Sequence, residues 1–188
     1  MIVSFGVLLA MIPSDAELVG SIVASDERSF HTLFDRYHPD LYRYLRRLGV
    51  EDEIALDILQ DAFLAVWERR QSLDSSKSIR AYLYRACHNK ALNHFRDSKR
   101  HPDDLTDVET LPAQDHADPT EFANLQEALG LAVSHLPERQ RTVFELCFIA
   151  GNTYQEASDV LDISKKTVEN HMARAFKSVR LALKDYSI

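Results

Sequence analysis

The sequence predicts an all-α protein of two small helical modules joined by a flexible acidic linker, the second module containing a helix-turn-helix. Three observations carry this. Apolar residues recur at helical spacing along most of the 188 residues, while Gly (5) and Pro (6) are scarce. The stretch from Pro102 to Thr120 has no apolar period and is rich in acidic residues with Pro102, Pro112 and Pro119, the composition of a tether. Near the C-terminus, two short periodic segments, each preceded by a capping residue, follow one another across a tight turn.

In the first module, Phe30, Leu33, Phe34 and Tyr37 stand at i, i+3, i+4 and i+7, one face of an amphipathic helix. After Pro39 the pattern resumes with Leu41, Tyr44, Leu45 and Leu48, and Gly49 is the expected stop. A second helix is expected from Asp52 to Arg70, with Ile54, Ile58, Ala62, Ala65 and Val66 as its apolar stripe. Residues 72–78 form a polar loop in which Asp74, Ser75 and Ser76 are turn formers. A third helix runs from Ile79 to Lys99, with Leu83, Ala86, Cys87, Ala91, Leu92 and Phe95 facing inward.

The linker can reach at most about 60 Å when extended, enough to join modules separated by more than one turn of DNA. The second module begins near Glu121. Leu125, Ala128, Leu129, Ala132, Val133 and Leu136 form its first stripe. Pro137 opens the next helix, lined by Val143, Phe144, Cys147 and Phe148 and ended by Gly151. Thr153-Tyr-Gln-Glu156 reads as a capping box, with Ala157, Val160 and Leu161 inside the helix it opens. Asp162-Ile163 makes the turn, and Ser164 caps a helix that keeps Val168, Met172 and Val179 inside. Lys165, Lys166, Glu169, Asn170, His171 and Arg174 fall on its outward face near the start. In a helix-turn-helix that position meets base edges in the major groove, where Lys and Arg reach guanine or phosphate and Asn can bond adenine bidentately.

Charge is unevenly distributed. The net of −7 argues against a polyanionic partner, but Lys77–His101 carries a local +6 and Lys165–Lys184 a local +5, around −8 between Asp103 and Glu127. Two basic blocks around an acidic tether predict two separate contacts with nucleic acid. No apolar run of about 18 residues exists, so no membrane insertion is expected. Met1–Ile12 is apolar but lacks the basic start and cleavage site of a secretory signal, and Met11 is an alternative start. Cys87 and Cys147 lie far apart within apolar patterns, as buried, reduced thiols of a cytoplasmic protein do. Catalysis finds no support. Cys87 and His88 are adjacent and point about 100° apart on a helix, and no zinc-protease helix motif, phosphate-binding loop or paired-cysteine motif occurs. Most of the eight histidines read as polar surface groups, and no metal or cofactor is called for.

Several segments, in this order and spacing, resemble the extracytoplasmic-function (ECF) group of bacterial RNA polymerase sigma factors. They are Phe30-x-x-Leu33-Phe34-x-x-Tyr37, then Asp57-x-x-Gln60-Asp61-x-Phe63-x-x-x-Trp67, then the run from Ile79 to Ala86 with Asn89. In the second module they are Leu136-Pro137, the run from Thr153 to Ala157 and the run from Leu161 to His171. The resemblance implies a division into an N-terminal extension (1–24), sigma region 2 (25–101), the linker (102–120) and sigma region 4 (121–188). It implies that Asp57, Gln60 and Asp61 dock on core RNA polymerase. It also implies that the loop 72–78 and the helix after it, through Arg80, Tyr82, Arg85, Asn89, Lys90, Asn93 and Arg96, capture the melted minus-ten element. Lys165, Lys166, Thr167, Glu169, Asn170, His171 and Arg174 would read the minus-thirty-five element of promoter DNA. An anti-sigma factor is implied as a further partner. Asp162 stands where the family often has Gly, and Ala157-Ser158 where it often has Ile-Ala; both keep the turn and the close helix packing feasible. The alternative is a response-regulator-type transcription factor, whose output domain shares the helix-turn-helix pattern. It would need a receiver or ligand-binding domain upstream, and the upstream module here is helical.

Overall fold

A computed structural model describes residues 13–98 and 121–184. Within these residues the chain is helical, with no strand. The expectations for Met1–Ala10, for residues 99–101 and for the linker at 102–120 lie outside the described residues.

Helix α1 (Asp15–Val23) opens the described chain and buries Leu18, Val19 and Ile22. Ser14 and Glu17 form a full capping box at its start, so two of the orphan N–H groups are satisfied reciprocally. The division of the sequence into an extension and a first module treats this segment as outside the fold, yet it is docked on it. Arg36 Nη1 sits 2.6 Å from Asp15 Oδ1, Arg36 Nη2 donates to the Pro13 carbonyl at 2.6 Å, and the Tyr37 hydroxyl donates to Asp15 Oδ2.

Helix α2 (Glu27–Arg47) runs unbroken through Pro39. Proline removes the hydrogen bond that the carbonyl of residue 35 would accept, a cost of about 3 kcal/mol in an exposed helix. The helix persists because Leu33, Tyr37, Leu41, Tyr44 and Leu45 bury one continuous face across the proline. Burial of each such side chain contributes about 1.5–3 kcal/mol, which outweighs the loss. The helix stops as expected near Gly49, whose φ of 86° is open to glycine at little cost.

Helix α3 (Asp52–Glu68) buries Ala55, Ile58, Leu59, Ala62, Phe63 and Val66 against α2. A 3₁₀ turn (Arg70–Ser72) follows, and in the loop after it Asp74 accepts from the Ser76 N–H at 2.9 Å. Helix α4 (Ile79–Ser98) buries Leu83, Tyr84, Cys87, Ala91 and Phe95. Leu92 departs from the expected inner face: it is 44% exposed. His88 departs in the other direction. It is buried, with Nδ1 2.8 Å from the Tyr44 hydroxyl, rather than a surface group.

In the second module, helix α5 (Glu121–Ser134) packs on the last helix, and α6 (Glu138–Phe144) starts after Pro137 as expected. The helix does not continue regularly to Gly151. A π-helical turn (Glu145–Ile149) widens it, and both the backbone N–H and the side-chain amide of Asn152 donate to the Leu146 carbonyl. The extra residue shifts the phase, so Leu146 turns fully inward while Phe148, expected inside, is 54% exposed, and Cys147 is only half-buried. Phe148 stacks on Phe144 instead, with ring centroids 4.9 Å apart, and meets Phe176 edge-on.

Helices α7 (Tyr154–Leu161) and α8 (Lys165–Ala182) close the chain. The Thr153–Glu156 capping box and the Ser164 cap are both formed. Asp162 takes the left-handed conformation (φ 53°, ψ 45°) that the turn requires. Ala157 and Ser158 are buried, so the small residues do allow the close helix packing.

Candidate nucleic-acid and polymerase interface

Helix α8 crosses the module with Val168, Met172, Ala175 and Val179 buried, which fixes what remains on the outside. Lys165, Lys166, Asn170 and Arg174 are exposed along its N-terminal half. Two of the other expected residues are engaged locally. The Thr167 hydroxyl lies 2.8 Å from the Ser164 hydroxyl, and Glu169 accepts from Lys166 Nζ at 3.1 Å. His171 is half-buried with Nδ1 enclosed and unbonded, so it stands at the edge of the outward face rather than on it.

In the first module, α4 places Tyr82, Arg85, Asn89, Asn93 and Arg96 at successive spacings of three and four, one stripe along the helix. Arg85, Asn89, Asn93 and Arg96 are exposed, and Tyr82 is half-buried against the core. Leu92 lies on the same side, a member of the stripe that apolar periodicity assigned to the core. Arg96 Nε is 3.3 Å from Asp97, an exposed contact of little energetic consequence. Two of the expected residues leave the stripe. Lys90 Nζ donates to Asp61 Oδ2 at 2.8 Å, and Arg80 Nη1 donates to the Ala150 carbonyl at 2.7 Å with its guanidinium 5.4 Å from the Tyr37 ring centroid.

Asp57, Gln60 and Asp61 are exposed together on α3. Leu56 and Leu64, 49% and 48% exposed, flank them on the same face. Sequence reasoning missed both. The signal was available: neither fits the stripe built on Ile54, Ile58 and Ala62, and a large apolar residue on a polar face marks a contact surface when it has company. Trp67 belongs to the packing instead, against Phe30 at 5.2 Å and under the Arg70 guanidinium at 4.4 Å.

The titratable groups inside are structural. Burial pushes the Cys87 thiol up to about 12 and the Cys147 thiol up to about 11, so neither is a thiolate at neutral pH. Burial pushes the His88 imidazole down to about 4 and keeps it neutral. Glu145 is buried and pushed up to about 7, with Arg47 and then Arg141 opposing the shift. Burial also raises Glu156, but hydrogen bonds from Ser78 and Thr153 outweigh it and leave the carboxyl below its ordinary value.

This architecture has known counterparts. Residues 33–101 match the family description Sigma-70 region 2, and residues 126–179 match Sigma-70, region 4. The two matches define the chain as a sigma factor of the sigma-70 type. Among curated proteins it is 32% identical over 165 residues to the ECF RNA polymerase sigma factor SigM of Mycobacterium tuberculosis, covering 86% of this chain and 81% of that protein. It is 30% identical over 181 residues to the RNA polymerase sigma factor CnrH of Cupriavidus metallidurans, covering 88% and 93%. The solved structure of CnrH in complex with the cytosolic domain of CnrY superposes with a TM-score of 0.64 at 27% identity, over 92% of this chain and 99% of that one. The fold is also that of the sigma factor RpoE bound to the anti-sigma factor NepR from Bartonella quintana, with a TM-score of 0.63 at 19% identity over 84% and 98%. The chain belongs to the ECF RNA polymerase sigma factors.

Proposed function

We propose that the chain directs core RNA polymerase to specific promoters through three surfaces. The exposed face of α3, with Asp57, Gln60 and Asp61 between Leu56 and Leu64, docks on the polymerase. The outward stripe of α4, Arg85, Asn89, Asn93 and Arg96 with Tyr82, holds the melted minus-ten strand, as basic and polar grooves hold single strands. Lys90 and Arg80 join this stripe once released from Asp61 and Ala150. The exposed N-terminal half of α8 reads the minus-thirty-five element. The observation that carries the reading is the capped helix-turn-helix with its left-handed Asp162, because it leaves Lys165, Lys166, Asn170 and Arg174 clear of the module's own core.

The division at 25–101, 102–120 and 121–188 follows, with α1 completing the first module from the extension. The role is non-catalytic and cytoplasmic, since core polymerase supplies the chemistry and works where the chromosome is. Among the described residues, no helix is long and apolar enough to cross a membrane. An anti-sigma factor is the expected regulator; the solved relative CnrH is held by the cytosolic domain of CnrY. The test is a footprint of promoter DNA bound by the chain with purified core polymerase. Protection of two elements about two helical turns apart, lost at the upstream element alone in Asn170→Ala, is the expected result. A single site protected equally well without polymerase would favour an independent DNA-binding regulator.

A further inference from the structure

Helix α1 has no part in the three surfaces named above, yet its C-terminal end is tied to the loop that leads into α4. The helix ends in a Schellman turn: the Ser25 N–H donates to the Ile22 carbonyl at 2.8 Å and the Asp26 N–H to the Ser21 carbonyl at 3.0 Å. That turn needs one residue in the left-handed region, and Ser25 fills it with a φ of 66°. Glycine is the usual occupant, because a side chain there meets steric resistance. The serine has a use that glycine lacks. Arg70 Nε donates to Ser25 Oγ at 2.9 Å, while Arg70 Nη1 donates to the Trp67 carbonyl at 2.7 Å and the guanidinium lies 4.4 Å from the Trp67 ring centroid. Beside it, Gln71 Nε2 donates at 3.2 Å to the carbonyl of Val23, one of the last residues of α1, whose carbonyls have no partner inside the helix.

Both donors belong to the 3₁₀ turn Arg70–Ser72, which opens the loop before α4. The far end of that loop is set by the helix it enters, where the Ser78 hydroxyl accepts the Ala81 N–H at 3.2 Å. Its middle closes on itself, with Asp74 accepting the Ser76 N–H at 2.9 Å and the Ser76 hydroxyl at 2.6 Å. We propose that Ser25, Arg70 and Gln71 are positioning residues for the minus-ten element: α1 holds the 3₁₀ turn, so that residues 74–78 meet the unpaired bases in one geometry. The proposal rests on the assignment of this loop and α4 to the minus-ten strand. Ser75, Ser76 and Lys77 are exposed at the loop's tip. Such tips are where backbone motion concentrates, whereas a polar contact that discriminates between ligands has to be held within about 0.5 Å. A short loop inherits its position from its two ends, so the end tied to α1 sets the geometry together with the end tied to α4. A planar guanidinium bonded through two of its nitrogens to two different segments is a stiffer link than a single flexible donor.

The test uses the full chain bound to core polymerase. The complex transcribes a barcoded template library in which the downstream element of one active promoter is randomised, and sequencing the transcripts gives the preference at each base. The variants are Ser25→Gly and Ser25→Asn. Both residues accept the left-handed conformation, but only asparagine offers Arg70 an acceptor oxygen. In Ser25→Gly the ratio between best and worst base at the downstream element is expected to fall about tenfold, part of the roughly hundredfold that misplacing a positioned group by 1 Å costs. Ser25→Asn is expected to keep the parent's ratio. A role confined to stabilising the fold would lower transcription from every template alike and leave the ratio unchanged. An unchanged ratio in Ser25→Gly therefore overturns the proposal whatever its total output, as does equal flattening in Ser25→Asn. Should Ser25→Gly fail to fold, Gln71→Ala removes an exposed hydrogen bond to α1 and is read against the same criterion. Asn89→Ala separates the two ideas. An unchanged ratio there removes α4 from the minus-ten strand, while the Ser25 pair still decides whether α1 positions the loop.

Discussion

Acid should unmask His88, provided Glu145 is first made silent. The imidazole is buried in the first module beside the Tyr44 hydroxyl, and burial lowers its pKa from 6.5 to about 4. The folded chain therefore binds this proton less readily than the unfolded chain does. The stability that neutral His88 contributes is fully present above pH 6.5 and is lost as the pH falls through 4. Between pH 7 and pH 5 the loss works out at about 2 kcal/mol, because each pH unit below 6.5 at which only the unfolded chain holds the proton costs about 1.4 kcal/mol. Glu145 has the opposite sign. Its pKa is raised from 4.5 to about 7, so its contribution is fully present below pH 4.5 and is lost as the pH rises through 7. Over the same interval it returns about 2 kcal/mol on acidification, and the parent chain should be nearly flat. Glu145→Gln removes that compensation. Urea denaturation of Glu145→Gln at pH 7 and pH 5 should show the loss of about 2 kcal/mol, against a small change in the parent chain. Equal, flat stability in both chains would refute the assignment of His88 as a buried neutral base.

Further outcomes follow from the same geometry. Asn170→Ala or Arg174→Ala should each weaken recognition of the upstream promoter element by about 1–3 kcal/mol with unchanged melting, measured as promoter affinity of the polymerase complex. Asp61→Arg and Leu64→Asp should weaken binding to core polymerase while leaving helicity intact, read by circular dichroism beside a core-binding titration; normal binding by both would remove α3 from the docking surface. Thr153→Ala should cost about 1 kcal/mol of stability through loss of the cap on α7, measured by denaturation. A chain beginning at Met11 should fold and support transcription like the full chain, because it keeps Pro13, Ser14 and Asp15, which tie α1 down.

The all-helical class and the helix-turn-helix were legible because local chemistry decides them. Thr153, Glu156, Asp162 and Ser164 each act on their own backbone within a turn, and tertiary context has nothing to overrule. Helix α1 was missed and left in an N-terminal extension, although Ser14-x-x-Glu17 carries the local capping signal; its dependence on Arg36 and Tyr37 is long-range and leaves no local trace. What was not legible depended on packing across distance. The uninterrupted course of α2 through Pro39 needs the partner helices that bury its face. The π-helical turn shifts the phase by one residue and so turns Phe148 outward and leaves Cys147 half-buried, although a 3.6-residue period assigns both to the interior. Leu92 satisfies the periodicity of α4 yet faces out, because it lies at the margin of the buried face beside Asn89 and Asn93. His88 could be placed on the inner side of α4 by Ala91 three residues on and Tyr84 four residues back, but only the Tyr44 hydroxyl opposite it explains why a polar ring is tolerated there.

The central claim is that this chain gives core polymerase its promoter specificity, and transcription by purified core polymerase on a fragmented genomic template, with transcript 5′ ends sequenced, tests it most directly. Adding the chain should start transcripts at a discrete set of sites sharing two upstream elements at constant spacing, and Arg174→Ala should thin that set at the upstream element. Transcript ends that are the same with and without the chain would contradict it.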